Sequence, residues 1–238
     1  MIDSRKKAKC TTCKNENCLI KKHIDSESLK EYLEEKHTIN CRESQQFILE
    51  GAPVYGIYFV YDGVVKVSKT VGEDRDQIIR FSKNGEVVGH RGYGTDYVYN
   101  VSASTLKETV LCNFSTEIFN KMLFASPALM YDFMLFYADQ LQKSETNSRK
   151  FNMMTIREKV ISALLLIQDK FGEKGGFLNL VLSRNDIAEF AGTTEEQVIK
   201  VISSLKKHKL INTKGKQIGL EAKQLKKEIS AYKMIEAS

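Results

Sequence analysis

Ser183-Arg-Asn-Asp-Ile-Ala-Glu-Phe-Ala-Gly192-Thr-Thr194-Glu-Glu-Gln197 is the stretch that decides how the chain is read. Ser183 with Asp186, and Thr194 with Gln197, mark two helix starts. In each, an N-cap hydroxyl and a partner three residues on satisfy N–H groups that a first turn leaves free. Gly192 lies between the helices, where a left-handed turn asks for a residue without Cβ. Ala188 is small enough for the helices to cross closely, and Ile187, Val198 and Val201 fall where the crossing needs apolar contacts. The second helix continues through Leu205 into Lys206-Lys207-His208-Lys209. Leu210 to Leu220 then reads as a hairpin with Lys214-Gly215-Lys216 at its tip. This order is a winged helix-turn-helix, whose second helix enters the major groove while the wing touches phosphate. The plainer reading is a three-helix domain without a ligand. The agreement of caps, glycine, small residue, apolar positions and basic wing weighs against it.

Within the second helix, Glu196 is placed to accept from cytosine N4 and Lys200, one turn on, to donate to guanine O6 or N7. Gln197 is an adaptable reader beside them, and Thr194 at the cap joins the candidate DNA contacts. Arg184, Lys214 and Lys216 suit phosphate better than bases. Charge placement agrees. Of a net +6, residues 149–238 carry 17 basic against 10 acidic side chains (+7), and residues 1–148 carry 19 against 20 (−1). A polyanionic partner of the C-terminal part would release counterions, although a lysine-rich solvated surface has the same signature. No apolar run reaches membrane-spanning length, and the basic start Arg5-Lys6-Lys7 is not followed by a signal-peptide core. A cytoplasmic protein with no membrane partner is expected.

Upstream, the pattern divides the chain into a cysteine-bearing tail (1–24), a strand-rich domain (25–126), a long helix (127–152) and the winged helix-turn-helix domain (153–238). Ser26 precedes a short amphipathic helix bearing Leu29, Tyr32 and Leu33. Strands are expected at Gln46–Leu49, Ile57–Tyr61, Val64–Ser68, Gln77–Phe81, Glu86–Val88, Asn100–Ala103 and Thr109–Phe114, with glycine-bearing turns between them. Strands without intervening helices make a sandwich or jelly-roll barrel, so the fold class is α+β. After Pro127 the chain is helical, and Ala128–Ala138 is apolar almost all the way round, which requires cover on more than one face. One flank is read as packing on the barrel and the other on a second copy. The seam is expected at Phe133, Phe136, Tyr137, Gln140, Leu141 and Ser144. Burial within one monomer is the alternative. Thr155 and Glu158 form a capping box that starts a new helix after a hinge near Asn152, and Leu178–Leu182 reads as a strand.

A β-roll, a long helix and a winged helix-turn-helix in this order resemble the CRP/FNR family of bacterial transcription regulators. The likeness is carried by Tyr58-Phe-Val-Tyr-Asp-Gly-Val-Val-Lys-Val67, Gly85-Glu-Val-Val-Gly89 and Leu182-Ser-Arg-Asn-Asp-Ile-Ala188. The resemblance implies a cyclic-nucleotide-binding-like β-roll (jelly roll), a dimerisation helix, a homodimer on a palindromic double-stranded DNA operator, and contact with RNA polymerase. The family's usual Glu-x-x-Ser-Arg run reads Glu196-Gln197-Val198-Ile199-Lys200 here. Lysine lacks arginine's bidentate fork and Ile199 replaces a polar reader, so the operator sequence is left open. Where the family's nucleotide binders carry a ribose-binding glutamate and a phosphate-binding arginine, this chain has His90 and Asn100, and no cyclic nucleotide is expected.

The cysteines point elsewhere. Five are present, three of them as Cys10-x₂-Cys13-x₄-Cys18, which in a reducing compartment suggests metal or redox chemistry over disulfides. Three thiolates at that spacing suit one iron–sulfur cluster that needs a fourth ligand. By resemblance to the oxygen-sensing FNR branch, that ligand is Cys112, giving a [4Fe–4S] cluster on Cys10, Cys13, Cys18 and Cys112. Other readings stay open: structural zinc on the triplet with His23 or Cys41, thiol redox chemistry, Cys112 as a small buried hydrophobe, and a small-molecule, cyclic-nucleotide-like effector in the β-roll. The four histidines show no haem pattern. With only His90 in the strand region, a cupin-type enzyme is not expected.

Overall fold

Glycine-bearing turns cut residues 37–115 into short antiparallel strands in the computed structural model, which describes residues 8–72, 75–94 and 96–229. The Arg5-Lys6-Lys7 run and the side chains of residues 148–152 lie outside that description. A short helix, α1 (Lys30–Glu34), leads into β1 (His37–Cys41), β2 (Gln46–Ile48), β3 (Gly56–Asp62), β4 (Val64–Thr70), β5 (Asp76–Lys83), β6 (Val87–Val88), β7 (Ser102–Thr105) and β8 (Thr109–Ser115). They form two four-stranded sheets, β1-β8-β3-β6 and β2-β7-β4-β5. The expected strands are present with shifted ends. β1 is additional, an edge strand paired only with β8. Gly63 turns β3 into β4 with φ +134, and a Cβ there would collide with the Thr109 side chain.

Alternation along β3 and β8 explains why their sheet is apolar on both faces. Tyr58, Val60 and Leu111 face the other sheet, packing with Ile48, Val65, Val67 and Tyr99. Ile57, Phe59, Cys112 and Phe114 face outward into a second cluster, closed by Leu19 and Ile20 of the tail, Phe119 and Met122 of α2 (Thr116–Ala125), and Leu129 and Phe133 of α3 (Pro127–Met153). Burying such side chains contributes about 1.5–3 kcal/mol each. Cys112 is therefore directed beneath the tail because it is one residue out of phase with Leu111.

Helix α3 runs without interruption to Met153, and the break expected near Asn152 falls at Met154-Thr155. Two compact units divide at residue 140. In the second, α4 (Ile156–Phe171) starts at the Thr155–Glu158 capping box and buries Val160, Leu164 and Ile167. The strand expected over Leu178–Leu182 forms only as β10 (Phe177–Leu178), paired with β9 (Glu173–Lys174). The rest is irregular chain whose Leu180 and Leu182 still enter the core. Helices α5 (Arg184–Ala191) and α6 (Glu195–Lys207), the hairpin β11 (Ile211–Lys214) with β12 (Gln217–Leu220), and α7 (Ala222–Lys227) complete the unit.

Candidate functional site

Four cysteines from two distant parts of the sequence line one pocket. It is partly open to solvent and is walled by Cys10, Cys13, Cys18, Cys112, Ile20, Phe59, Val60 and Phe114, with Lys9, Lys21 and Lys36 among its cations. Local hydrogen bonds shape the tail. Cys13 N–H donates to Cys10 O at 3.2 Å and Cys18 N–H to Asn15 O at 2.9 Å. Asn15 Nδ2 ties the loop to Tyr61 O at 2.7 Å, and Lys36 Nζ holds its start through Ala8 O at 2.6 Å. The same ammonium lies 3.4 Å from Cys10 Sγ. Burial pushes the Cys112 thiol up to about 12, against the pull of Lys36, and raises Cys18 as well. A metal deprotonates a thiol it binds, so this donor set fits a group that replaces the protons. Apolar walls limit water, and lysines offset the charge of four thiolates. Among the described residues, no three His, Cys, Asp or Glu side chains stand as a single-ion site. Cys41 packs in the core between the sheets and His23 pairs with Asp132, and neither lines the pocket. Nothing in the sequence singles out Asn15 or Lys36: each is one polar residue whose role depends on a distant partner.

In the second unit, Ser183 and Asp186 form a reciprocal capping box, and Gly192 ends α5 at φ 63, ψ 44. Thr194 accepts from Gln197 N–H at 3.4 Å to start α6, and Ala188, Ile187 and Val198 are buried at the helix crossing while Val201 is half-buried. Glu196 and Lys200 are exposed and paired at 2.6 Å, a contact that holds the Glu196 carboxyl below its ordinary range. Gln197 is half-buried, and Lys214 and Lys216 are exposed at the wing tip. Arg184 is half-buried with Nη1 enclosed and without a hydrogen-bond partner. The predicted DNA contacts therefore lie on α5, α6 and their wing.

Residues 39–126 match the cyclic nucleotide-binding domain family and residues 158–227 the Crp-like helix-turn-helix domain family. The chain belongs to the CRP/FNR family of transcription regulators. It is 24% identical over 192 residues to the Anaerobic regulatory protein of Bacillus subtilis, covering 79% of this chain and 81% of that protein. It is 25% identical over 216 residues to the Transcriptional activator protein FnrL of Cereibacter sphaeroides, covering 88% and 86%. The structure of FixK2 from Bradyrhizobium japonicum has the same fold, with a TM-score of 0.72 at 22% identity over 81% of this chain and 96% of that one. These relatives are transcription regulators and not enzymes, and the Crp-like domain makes this CRP/FNR chain a DNA-binding regulator. No helix among the described residues is long and apolar enough to cross a membrane.

Two β-roll positions singled out in the sequence of this CRP/FNR protein, His90 and Asn100, differ in exposure. His90 is buried, with its ring edge-on to Phe136 and Tyr137 at 4.8 and 5.6 Å, and Tyr137 Oη donates to its carbonyl at 2.5 Å. Asn100 is exposed. Arg80 reaches inward, donating to Val87 O and, at 2.9 Å, to Gln140 Oε1. Burial lowers its guanidinium to about 10, with Glu86 opposing. On α3 the expected seam residues divide. Phe133 is buried and Phe136, Tyr137 and Gln140 are half-buried, the aromatics against the roll, whereas Leu141 and Ser144 are exposed. The opposite flank presents Tyr131, Met134, Ala138 and Leu141 at three- and four-residue spacing, all exposed.

Proposed function

We propose that this regulator responds to oxygen or redox state through a [4Fe–4S] cluster on Cys10, Cys13, Cys18 and Cys112, and that it acts as a cytoplasmic homodimer on a palindromic operator in contact with RNA polymerase. The convergence of the four cysteines on one pocket carries this reading. The names of the anaerobic regulator and of FnrL agree with it. When bound, such a cluster supplies a redox-active centre whose integrity depends on its surroundings. The chain's own residues do the rest. Lys36 favours the thiolate form of Cys112, Asn15 keeps the Cys13–Cys18 loop against β3, and Phe59 and Phe114 limit water. The tail and α3 share one apolar cluster, so loss of the tail's anchorage unsettles the helix that carries the seam. That seam is assigned to Tyr131, Met134, Ala138 and Leu141, the apolar flank the roll does not use. Glu196, Gln197 and Lys200 read bases, with Thr194, Arg184, Lys214 and Lys216 beside them. No cyclic nucleotide takes part. The working segments are the tail (1–24), roll (25–126), dimer helix (127–152) and DNA-binding domain (153–238).

Iron and acid-labile sulfide, measured with the visible spectrum on protein purified without oxygen, test the reading. Stoichiometric iron and sulfide are expected, lost in Cys112→Ser while its circular dichroism is kept. A colourless, iron-free wild type that still binds its operator would sink the cluster.

A further inference from the structure

We infer that Ile199 is a specificity-determining residue that reads the 5-methyl group of a thymine in each half-site. The inference rests on α6 being the helix that enters the major groove. The fold does not use this side chain: Val198, Ile202 and Leu205 complete the buried side of α6, and Ile199 stands 51% exposed, the one large apolar residue exposed on that helix. Its flank is the one that bears the readers. Glu196 lies one turn before it and Ser203 one turn after, and Lys200 adjoins it.

Glu196 and Lys200 pair with each other at 2.6 Å beside it and keep further lone pairs and N–H groups for bases. Ile199 adds hydrocarbon to this polar flank. Of the groups on the major-groove edges, the thymine methyl is the apolar one, and the others are hydrogen-bond donors and acceptors. An isoleucine pressed on a donor or acceptor strips its water and returns no bond. Pressed on a methyl, it removes apolar surface from water on both sides. The residue thus favours thymine and disfavours the other three bases.

The test begins by selecting binding sites from a random duplex library with the full chain prepared without oxygen. Each thymine of the selected operator is then replaced by deoxyuridine, which removes only the methyl. Burial of one methyl-sized group is worth roughly fourfold in affinity (about 0.8 kcal/mol, at about 1.4 kcal/mol per tenfold). One thymine per half-site should therefore show a loss of about fourfold singly and about 14-fold when both half-sites are changed. Ile199→Ala, with unchanged thermal unfolding, should be indifferent to the same replacement. Failure to select any sequence overturns the groove-entering helix itself. A selected operator that tolerates deoxyuridine everywhere, or an Ile199→Ala protein with the wild-type penalty, overturns the isoleucine reading and leaves the helix's role standing.

Discussion

His23 Nε2 donates to Asp132 Oδ2 at 3.0 Å, joining two residues 109 positions apart. The contact fastens the 3₁₀ turn Lys21–His23, which follows the last cysteine of the tail, to the first part of α3. Both side chains are mostly covered, at 14% and 33% exposure, so the bond exceeds an ordinary surface pair. Asp132→Ala should ease opening of the tail by about 1 kcal/mol, or roughly fivefold. Cys10 and Cys13 of metal-free protein should then react with a thiol reagent about five times faster. Lys30→Ala, which breaks the exposed pair with Glu27, should leave that rate unchanged. Equal rates in Asp132→Ala and wild type would remove the tie from any role in holding the tail.

Cys112 sets a limit on the alkaline side. Burial, its largest influence, raises the thiol from an ordinary value of 9.0 to about 12 in the metal-free chain. Between those values the folded chain keeps a proton that the unfolded chain has lost. The stability linked to this group is therefore complete below pH 9 and is lost as pH rises toward 12. Tyr93 and Tyr137, both pushed up to about 12 by burial, act in the same direction from about pH 10. Urea unfolding of metal-free protein should show stability falling from pH 9 upward, with a shallower fall in Cys112→Ala. Identical slopes would mean that the thiol ionises freely in the folded state.

His90 sets the acid limit. Burial, reinforced by Arg80 and then Arg91, holds its imidazole well below 6.5. The unfolded chain takes up a proton near pH 6.5 that the folded chain refuses. The linked stability is complete above that value and is lost as pH falls from 6.5 through the folded pKa, at no more than about 1.4 kcal/mol per pH unit. His90→Gln should flatten the dependence below pH 6.5 despite its packing cost. Thermal midpoints between pH 5 and 7 decide this, since a parallel displacement of the whole curve would exclude His90 as the titrating group.

Local signals made the second unit legible, and non-local ones hid much of the first. The caps at Ser183 and Thr155 lie within four residues of their partners, and α5 and α4 begin there. The period of α3 is equally plain. Its phase is not, because Phe133 and Phe136 on one flank and Tyr131 and Met134 on the other are alike in hydropathy. Which flank meets the roll depends on Leu19, Ile20 and Phe119, far away in sequence. The Cys10–Cys18 spacing announces a site by itself. Nothing in Val110-Leu-Cys-Asn-Phe114 distinguishes a ligand from a small buried residue, so family resemblance alone points to Cys112. Lys36 and Asn15 carry no signal at all, and His23 reads only as an alternative zinc ligand, not as the partner of Asp132.

Arg184 couples stability to DNA binding in opposite directions. It is the first residue of α5, where the positive end of the helix dipole disfavours a cation. Its Nη1 is enclosed without a partner, and burial depresses its pKa. A phosphate at that position would supply both the missing acceptor and the missing charge. Arg184→Ala should therefore leave the free protein as stable as before or slightly more so, while weakening binding on specific and random duplexes alike. Each phosphate contact contributes about 0.9 to the slope of log affinity against log salt, so a dimer losing two should flatten by about 1.8. Lys214→Ala should flatten the slope by the same route without the gain in stability, because Lys214 is exposed at the wing tip. An unchanged slope in Arg184→Ala would mean that its enclosed nitrogen meets no phosphate. The residue would then be a packing element that the helix dipole merely tolerates.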